Sequence, residues 1–353
     1  MLYLAPTGTY FFWSERERKD ISMKIAIIGG AGFIGSSVVK TYLDAGHDVF
    51  VVDTLINGAR QALDRRARFY QLDLRDPQLR ALLQAERPEV VSHHAVQREQ
   101  RDLPAEQSLL DADIQVRGLL NVLDSCVSAS VEKIIFASGG NDLYDRAAGN
   151  NLPLAENAAL CPRQPQEISK QAAEWYIRYY TRHYGLTHTI FRYADVYGET
   201  EYEHIHHPLS YIIRMLLEER RPTIRRSADE LRDHIFIDDV ARANLCALEG
   251  GHNQTFNIST GEGHTLSQFY RLAATALHSD IEPVYITNSL VFGLPSEPTA
   301  ITLDNSLAQQ RLGWHPQISF AEGIQTTIER ISERMGIRVP VRVEQPEMVA
   351  VGV

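Results

Sequence analysis

The chain has 353 residues, 44% of them hydrophobic and 23% charged, enough for one large α/β unit with an appendage or for two to three domains. Its formal charge of −10 argues against nucleic acid as a general partner and leaves room for a local basic pocket for a diphosphate. No apolar run approaches the ~20 residues of a membrane helix, so no membrane partner is expected. The three cysteines, Cys126, Cys161 and Cys246, are too scattered for a disulfide framework or a Cys-x-x-Cys metal site, which points to a reducing cytoplasm.

In chain order, Tyr10-Phe-Phe-Trp13 is apolar, but Glu15–Lys19 follows directly and no basic segment precedes it, unlike a signal peptide. Residues 1–22 are therefore expected to be a mobile extension. The organised chain is expected to begin at Met23-Lys24. There Lys24-Ile-Ala-Ile-Ile-Gly-Gly-Ala-Gly-Phe-Ile-Gly35 reads as a buried strand, a glycine turn and the start of a helix. Gly30, Gly32 and Gly35 fit G-x-G-x-x-G, in which the first glycine makes a tight turn, the second admits a pyrophosphate and the third lets helix pack on strand. Gly29 precedes them, and the helix N–H groups from Phe33 and Ile34 onward would face the phosphates. A second apolar strand, Val49–Val52, ends in Asp53, an acceptor for an adenosine ribose that would repel a 2′-phosphate. The pattern predicts NAD rather than NADP.

After the turn Asn57-Gly-Ala-Arg60 comes a strand, Arg68–Leu72, ending at Asp73-Leu74, where an acid can face the adenine amino group. A helix over Pro77–Glu86, a strand over Pro88–His94, and a long helix over Gln107–Ala129 follow. The next strand, Lys133–Ser138, runs into Gly139-Gly-Asn-Asp-Leu-Tyr144, and a second long helix spans Gln166–Tyr184 before the strand Leu186–Arg192. Repeated β-α units predict a Rossmann-type doubly wound parallel sheet with ligands at the strands' carboxyl ends. Beyond Gly198 the pattern loosens. Helices are expected over Leu209–Glu219, Asp238–Glu249 and Leu266–Leu277, a strand pair around Ile235–Ile237, a strand at Phe256–Ile258, and closing segments at Thr302–Leu312 and Phe320–Arg334. This reads as a smaller C-terminal substrate-binding cap over 198–335, with some elements returning to a Rossmann domain over 23–197, and a tail over 336–353.

The stretches GGAGFIG (29–35), KIIFASGG (133–140), SKQAAEWY (169–176), FRYADVYGE (191–199), RDHIFIDDVARA (232–243), FNISTGE (256–262) and RLGWHP (311–316) resemble the extended short-chain dehydrogenase/reductase family of NAD-dependent nucleotide-sugar epimerases and dehydratases. The resemblance implies NAD, a nucleoside-diphosphate sugar, and a homodimer joined by a four-helix interface of Gln107–Ala129 and Gln166–Tyr184. It also assigns positions. Lys170 matches the lysine that holds the nicotinamide ribose, and Arg232 an arginine that holds diphosphate. The family's Tyr-x-x-x-Lys reads Gln166 at the tyrosine, and glutamine cannot serve as a phenolate base. The family's Ser or Thr after the KIIFAS strand falls on Gly139 or Gly140, with Ser138 the nearest hydroxyl. The long-helix Asn is Gln115, the Asn before Val-Tyr-Gly is Asp195, and a second arginine is Leu294.

These substitutions leave Ser138, Asp142, Gln166, Lys170 and Asp195 as the candidate catalytic positions; dehydratases of the family carry an acid where Asp142 lies. Tyr144 is expected in the core. Arg232, Asp195, His204 and His206 are candidates for substrate binding. A divalent cation such as Mn²⁺ would turn the repulsion between Asp195 and a diphosphate into attraction, with Glu203, His204, His206 and His207 as further ligands. His93-His94 reads as a strand end near the cofactor. The leading expectation is a nucleoside-diphosphate-sugar isomerase or mutase, for example for pyranose/furanose interconversion, working without the tyrosine redox cycle and assisted by that metal. The alternatives are an NAD-dependent 4-epimerase or 4,6-dehydratase with a displaced acid/base, and an inactive NAD-binding regulatory module.

Overall fold

The computed structural model describes residues 3–4, 10–11, 22–56, 58–96, 104–145, 152–199, 208–224, 230–286 and 300–338. Two compact units emerge, Met1–Phe136 with Trp175–His188, and Ala137–Glu174 with Thr189–Val353. Within the stretch expected to be a mobile extension, β1 (Tyr3–Leu4) and β2 (Tyr10–Phe11) pair antiparallel, in line with the strand preference of aromatic residues.

The first unit continues with β3 (Lys24–Ile28), α1 (Phe33–Asp44), β4 (Asp48–Asp53), β5 (Arg68–Gln71), α2 (Gln78–Glu86) and β6 (Val90–His93). Ile25 to Ile28 of β3 are buried on both faces, as a continuous apolar run requires in a parallel sheet covered on both sides. Helix α1 buries Gly35, Val38, Val39 and Tyr42, one stripe at helical spacing. The expected helix over Gln107–Ala129 starts earlier and is composite. It consists of α3 (Pro104–Ala112), a π-helical turn (Asp113–Gly118) and α4 (Leu119–Ser128). Strand β7 (Lys133–Gly139) and helix α5 (Pro165–Tyr184) match expectation to within a residue.

Next come β8 (Thr187–Tyr193), β9 (Asp195–Tyr197), α6 (Pro208–Leu217), β10 (Thr223–Ile224) and β11 (Arg232–Phe236). They are followed by α7 (Ile237–Glu249), β12 (Gln254–Ile258), β13 (Gly263–His264), α8 (Leu266–Ala276), β14 (Val284–Tyr285) and α9 (Phe320–Met335). A seven-stranded sheet has the order β5–β4–β3–β6–β7–β8–β12. The direction of build-up reverses between β3 and β6, the switch point at which doubly wound folds bind ligands. The doubly wound expectation holds.

Strand β12 pairs parallel with β8 from Gln254–Thr189 to Ile258–Tyr193, so this part of the second half returns to the main sheet. A separate three-stranded sheet sets β11 between β9 and β13, and β10 pairs with β14. Ile237, expected in a strand, instead opens α7, where Asp238 and Asp239 face the helix's positive end. Asp239 accepts backbone N–H bonds from Gln317 and Ile318, and its carbonyl accepts the Trp314 indole N–H, so the RLGWHP stretch is anchored on α7.

Candidate active site

Within the first unit, the glycine loop joins β3 to α1 at the switch point. Gly29 holds the left-handed conformation, φ +80°, and a Cβ there would lie 2.4 Å from the Ala95 nitrogen. The tight turn therefore belongs to Gly29, not to Gly30 as the motif spacing suggests. Gly30 is bare for another reason: a Cβ would meet the Val51 methyls at 2.8 and 2.9 Å. At Gly35 a Cβ would lie 2.2 Å from the Gly29 carbonyl oxygen, which is the close helix–strand packing expected of the third glycine.

Gly32 differs from all three, since the nearest protein atom to a Cβ there stands 3.4 Å away. Packing among the described residues leaves room for a methyl at this position, which is consistent with a glycine kept for a pyrophosphate's approach to the backbone. Helix α1 begins directly after Gly32 with no side-chain cap and no acidic residue in its first turn. That leaves its positive end, from Phe33 and Ile34 onward, suited to an anion. Asp53 ends β4 and accepts from the Ala31 N–H at 3.0 Å and the Leu55 N–H at 2.8 Å, which ties the strand end to the loop. The cradle has the shape and donor set for a dinucleotide pyrophosphate and ribose, and NAD fits it.

Asp73 is held by Arg75 through the backbone N–H at 2.8 Å and the guanidinium at 2.6 and 2.9 Å. The hydrogen bonds from Arg75 keep the Asp73 carboxyl below its ordinary range. Arg75 also pairs with Asp113 at 2.6 Å, and the Leu74 carbonyl accepts from Asn121 at 2.7 Å. Together these fix the Asp73-Leu74 turn against the helix that carries the π-turn. Inside that turn Gln115 is 2% exposed, and its side-chain nitrogen has no hydrogen-bond partner among the described residues. A buried amide without a partner is costly, and π-turns recur at functional sites. The sequence pattern marks Gln115 only as a departure from Asn. His93 packs against the Phe136 ring at 5.4 Å, and His94 shares a 2.8 Å hydrogen bond with the Ser92 hydroxyl.

Within the second unit, Ala137 to Tyr144 form a turn whose polar groups are nearly all committed. Ser138 donates to Glu174 at 2.8 Å, and Arg192 forks the same carboxylate at 2.8 and 3.0 Å, all buried. Arg192 also donates to the Tyr144 oxygen at 3.0 Å, and Tyr144 donates to Asn257 at 2.6 Å. Burial pushes the Tyr144 phenol up to about 12. Tyr144 is a core residue, as expected. Lys170 donates to the Ala137 carbonyl at 2.5 Å, and Gln166 lies four residues earlier in the first turn of α5. A Cβ on Gly140 would stand 2.2 Å from the Tyr193 carbonyl oxygen, whereas on Gly139 the nearest atom is a Leu143 side-chain carbon at 3.4 Å. Gly139 has room for a side chain and Gly140 has none.

Asp142 stands apart in this turn, its side chain 44% exposed and paired to Arg232 at 2.9 Å. Arg232 lies in β11, 4% exposed at its side chain, beside β9. Its guanidinium forks Asp195 through Nε at 2.6 Å and Nη2 at 3.0 Å, and Nη1 reaches Glu230 at 3.2 Å. Burial works against its charge, but Asp195 and Asp142 hold the Arg232 guanidinium well above its usual range. The next residue, Asp233, is buried and accepts from Thr260 N–H and O–H, Gly261 N–H and Leu303 N–H at 2.8 to 3.2 Å.

The family model for the NAD dependent epimerase/dehydratase family matches residues 25–259. The chain belongs to this family. A putative UDP-glucose 4-epimerase of Methanocaldococcus jannaschii is 33% identical over 310 residues, covering 86% of this chain and 97% of that protein. The UDP-glucose 4-epimerase of Mycolicibacterium smegmatis is 30% identical, covering 87% of this chain and 98% of that protein. Among solved structures, the UDP-glucose 4-epimerase of Thermotoga maritima with UDP-glucose superposes with a TM-score of 0.80 at 33% identity, over 89% of this chain and all of that one. The Thermus thermophilus UDP-glucose 4-epimerase with NAD gives 0.77 at 30% identity, over 87% of this chain and 98% of that one.

The family is one of NAD dependent epimerases and dehydratases, and the relatives named above are epimerases of a nucleotide sugar. The expectation of an isomerase or mutase finds no support among these relatives, and the epimerase alternative fits them better. Metal assistance is likewise without support. Among the described residues no group of three or more His, Cys, Asp or Glu side chains is placed to hold an ion, and Asp195 is engaged by Arg232. Glu203, His204, His206, His207 and Leu294 lie outside the described residues. Among the described residues no helix is long and apolar enough to cross a membrane.

Proposed function

We propose that this protein is an NAD-dependent 4-epimerase of a nucleoside-diphosphate sugar, UDP-hexoses being the first class to test, with its acid/base displaced from the family tyrosine. Bound NAD supplies hydride acceptance and return at the sugar carbon. What remains for the chain is to bind, to orient and to move one proton. The observation that carries the reading is the intact dinucleotide cradle, above all Gly32, left bare where packing does not demand it. A regulatory module would need no second unit with a charged cluster of its own.

Proton transfer falls to Asp142, the exposed carboxylate of a turn whose other polar groups are committed to the core. Ser138 donates its hydrogen bond to Glu174 and serves to hold the strand end. Lys170, fixed on the Ala137 carbonyl, is the lysine that the resemblance assigns to the nicotinamide ribose. Residues 23–197 then serve mainly NAD and 198–335 mainly the sugar nucleotide, with β12 returning to the main sheet. Assembly as a homodimer is supported by exposed apolar side chains on the expected helices, Leu109 on α3 and Trp175, Tyr179 and Tyr184 on α5. The three free cysteines suit a reducing cytoplasm.

The deciding experiment incubates the purified protein with UDP-glucose, UDP-galactose and their N-acetylamino and uronate counterparts and reads the products by NMR. Inversion at C4 that disappears when bound NAD is stripped and returns when NAD is restored is the expected result, with Asp142→Asn reducing kcat by roughly a thousandfold. Conversion that is indifferent to NAD would overturn the reading.

A further inference from the structure

Family resemblance makes Arg232 a diphosphate hook, yet four of its five N–H directions already end on carboxylates. The fork on Asp195 takes Nε and one hydrogen of Nη2, Asp142 takes the other at 2.9 Å, and Glu230 takes one of Nη1 at 3.2 Å. The side chain is 4% exposed, and the backbone that carries it is fixed in β11 by pairing with His264 and Ile301. Among the described residues, three carboxylates stand around this positive charge. A diphosphate brought to this point displaces at least one short ion pair.

We infer that Arg232 is a positioning residue: it clamps Asp142 of the turn after β7 against Asp195 of β9, and does not serve as the ligand of the substrate's diphosphate. The planar fork can hold two carboxylates in fixed directions at once, which a lysine ammonium cannot do. Asp195 stands where the resemblance expects Asn, and with it the guanidinium is filled from within the protein. The exposed Asp142 carboxylate is thereby held in one direction. This inference rests on the 4-epimerase reading for the role of Asp142, and its test separates the two.

The test measures kcat and KM for the sugar nucleotide that turns over, together with the dissociation constant of UDP by calorimetry, in the wild type, Arg232→Lys and Arg232→Gln. A clamp predicts that both variants lose roughly a hundredfold in kcat, the cost of a misplaced reacting group, while UDP affinity stays within about threefold. Lysine does not rescue, because the fork is what is lost. A diphosphate ligand predicts the opposite: glutamine weakens UDP binding at least about tenfold and lysine, a competent phosphate partner, restores most of it. That outcome overturns the proposal. Should the Arg232 variants fail to fold, Asp195→Asn decides. A clamp then shows a lower kcat at unchanged UDP affinity, whereas a guanidinium released to meet the diphosphate binds UDP about tenfold more tightly. A wild type that binds UDP but converts no sugar nucleotide ends the 4-epimerase reading, and the UDP comparison still decides the role of Arg232.

Discussion

Gly32 and Gly35 stand three residues apart in one motif and answer to different constraints. The Gly29 carbonyl oxygen closes off Gly35 at 2.2 Å, while Gly32 has 3.4 Å of clearance. Gly35→Ala should therefore damage the fold, costing roughly 1–3 kcal/mol as overpacking does. Gly32→Ala should leave the melting temperature almost unchanged and weaken NAD binding at least about tenfold, read by fluorescence titration. Gly139 and Gln166 offer the complementary experiment, because Gly139 has the room that Gly140 lacks. A Gly139→Ser/Gln166→Tyr double variant reinstates the family's hydroxyl pair, and a gain of about tenfold in kcat is expected. An inert double variant would place the proton-transfer route wholly on other groups. Asp233 supplies a pH signature. Burial outweighs the donors from Thr260, Leu303 and Gly261 and pushes its carboxyl up to about 6 from 3.8. Since the folded-state value is the raised one, its contribution to stability is complete below 3.8 and is lost as pH rises through about 6. In urea titrations Asp233→Asn should make the slope of stability against pH in that window less negative by up to about 1.4 kcal/mol per pH unit.

At the scale of the element, the composite helix α3–π–α4 matters most. Its apolar periodicity is plain in the sequence, but the extra residue in the π-turn is not, because no residue type codes for it. The turn carries Asp113, paired with Arg75, and Gln115, whose buried nitrogen is unsatisfied among the described residues. Gln115→Leu removes a donor that has no acceptor among the described residues. It is expected to stabilise the NAD-free protein by about 1 kcal/mol in urea titration while weakening NAD binding. Loss of stability would show that the amide is structural after all. The turn after β7 illustrates a different limit. Its glycines and acid are visible in sequence, yet only Glu174 and Arg192, which lock Ser138 and Tyr144 from α5 and β8, leave Asp142 as the exposed group.

For the whole molecule, the exposed side chains on α3 and α5 predict assembly. Trp175→Glu combined with Leu109→Glu should convert a dimer into a monomer in light scattering, with NAD affinity retained because the cradle lies on other elements. A wild type that is monomeric at tens of micromolar would remove the four-helix interface from consideration.

The β-α periodicity, the glycine loop, Asp53 and the order of the motifs determined the doubly wound sheet and the NAD preference without any coordinates. Those signals are local: a buried parallel strand reads as an apolar run, and a cradle reads as glycines at set intervals. Which glycine makes the turn was not legible. Gly29 and Gly30 are adjacent and chemically identical, and only the approach of Ala95 and Val51 tells them apart. Nor does the sequence say that Arg232 meets Asp142, 90 positions away, and Asp195, 37 away. Charge pairing of that kind depends on which strands lie side by side, and β11 comes to rest beside β9 only in the folded chain.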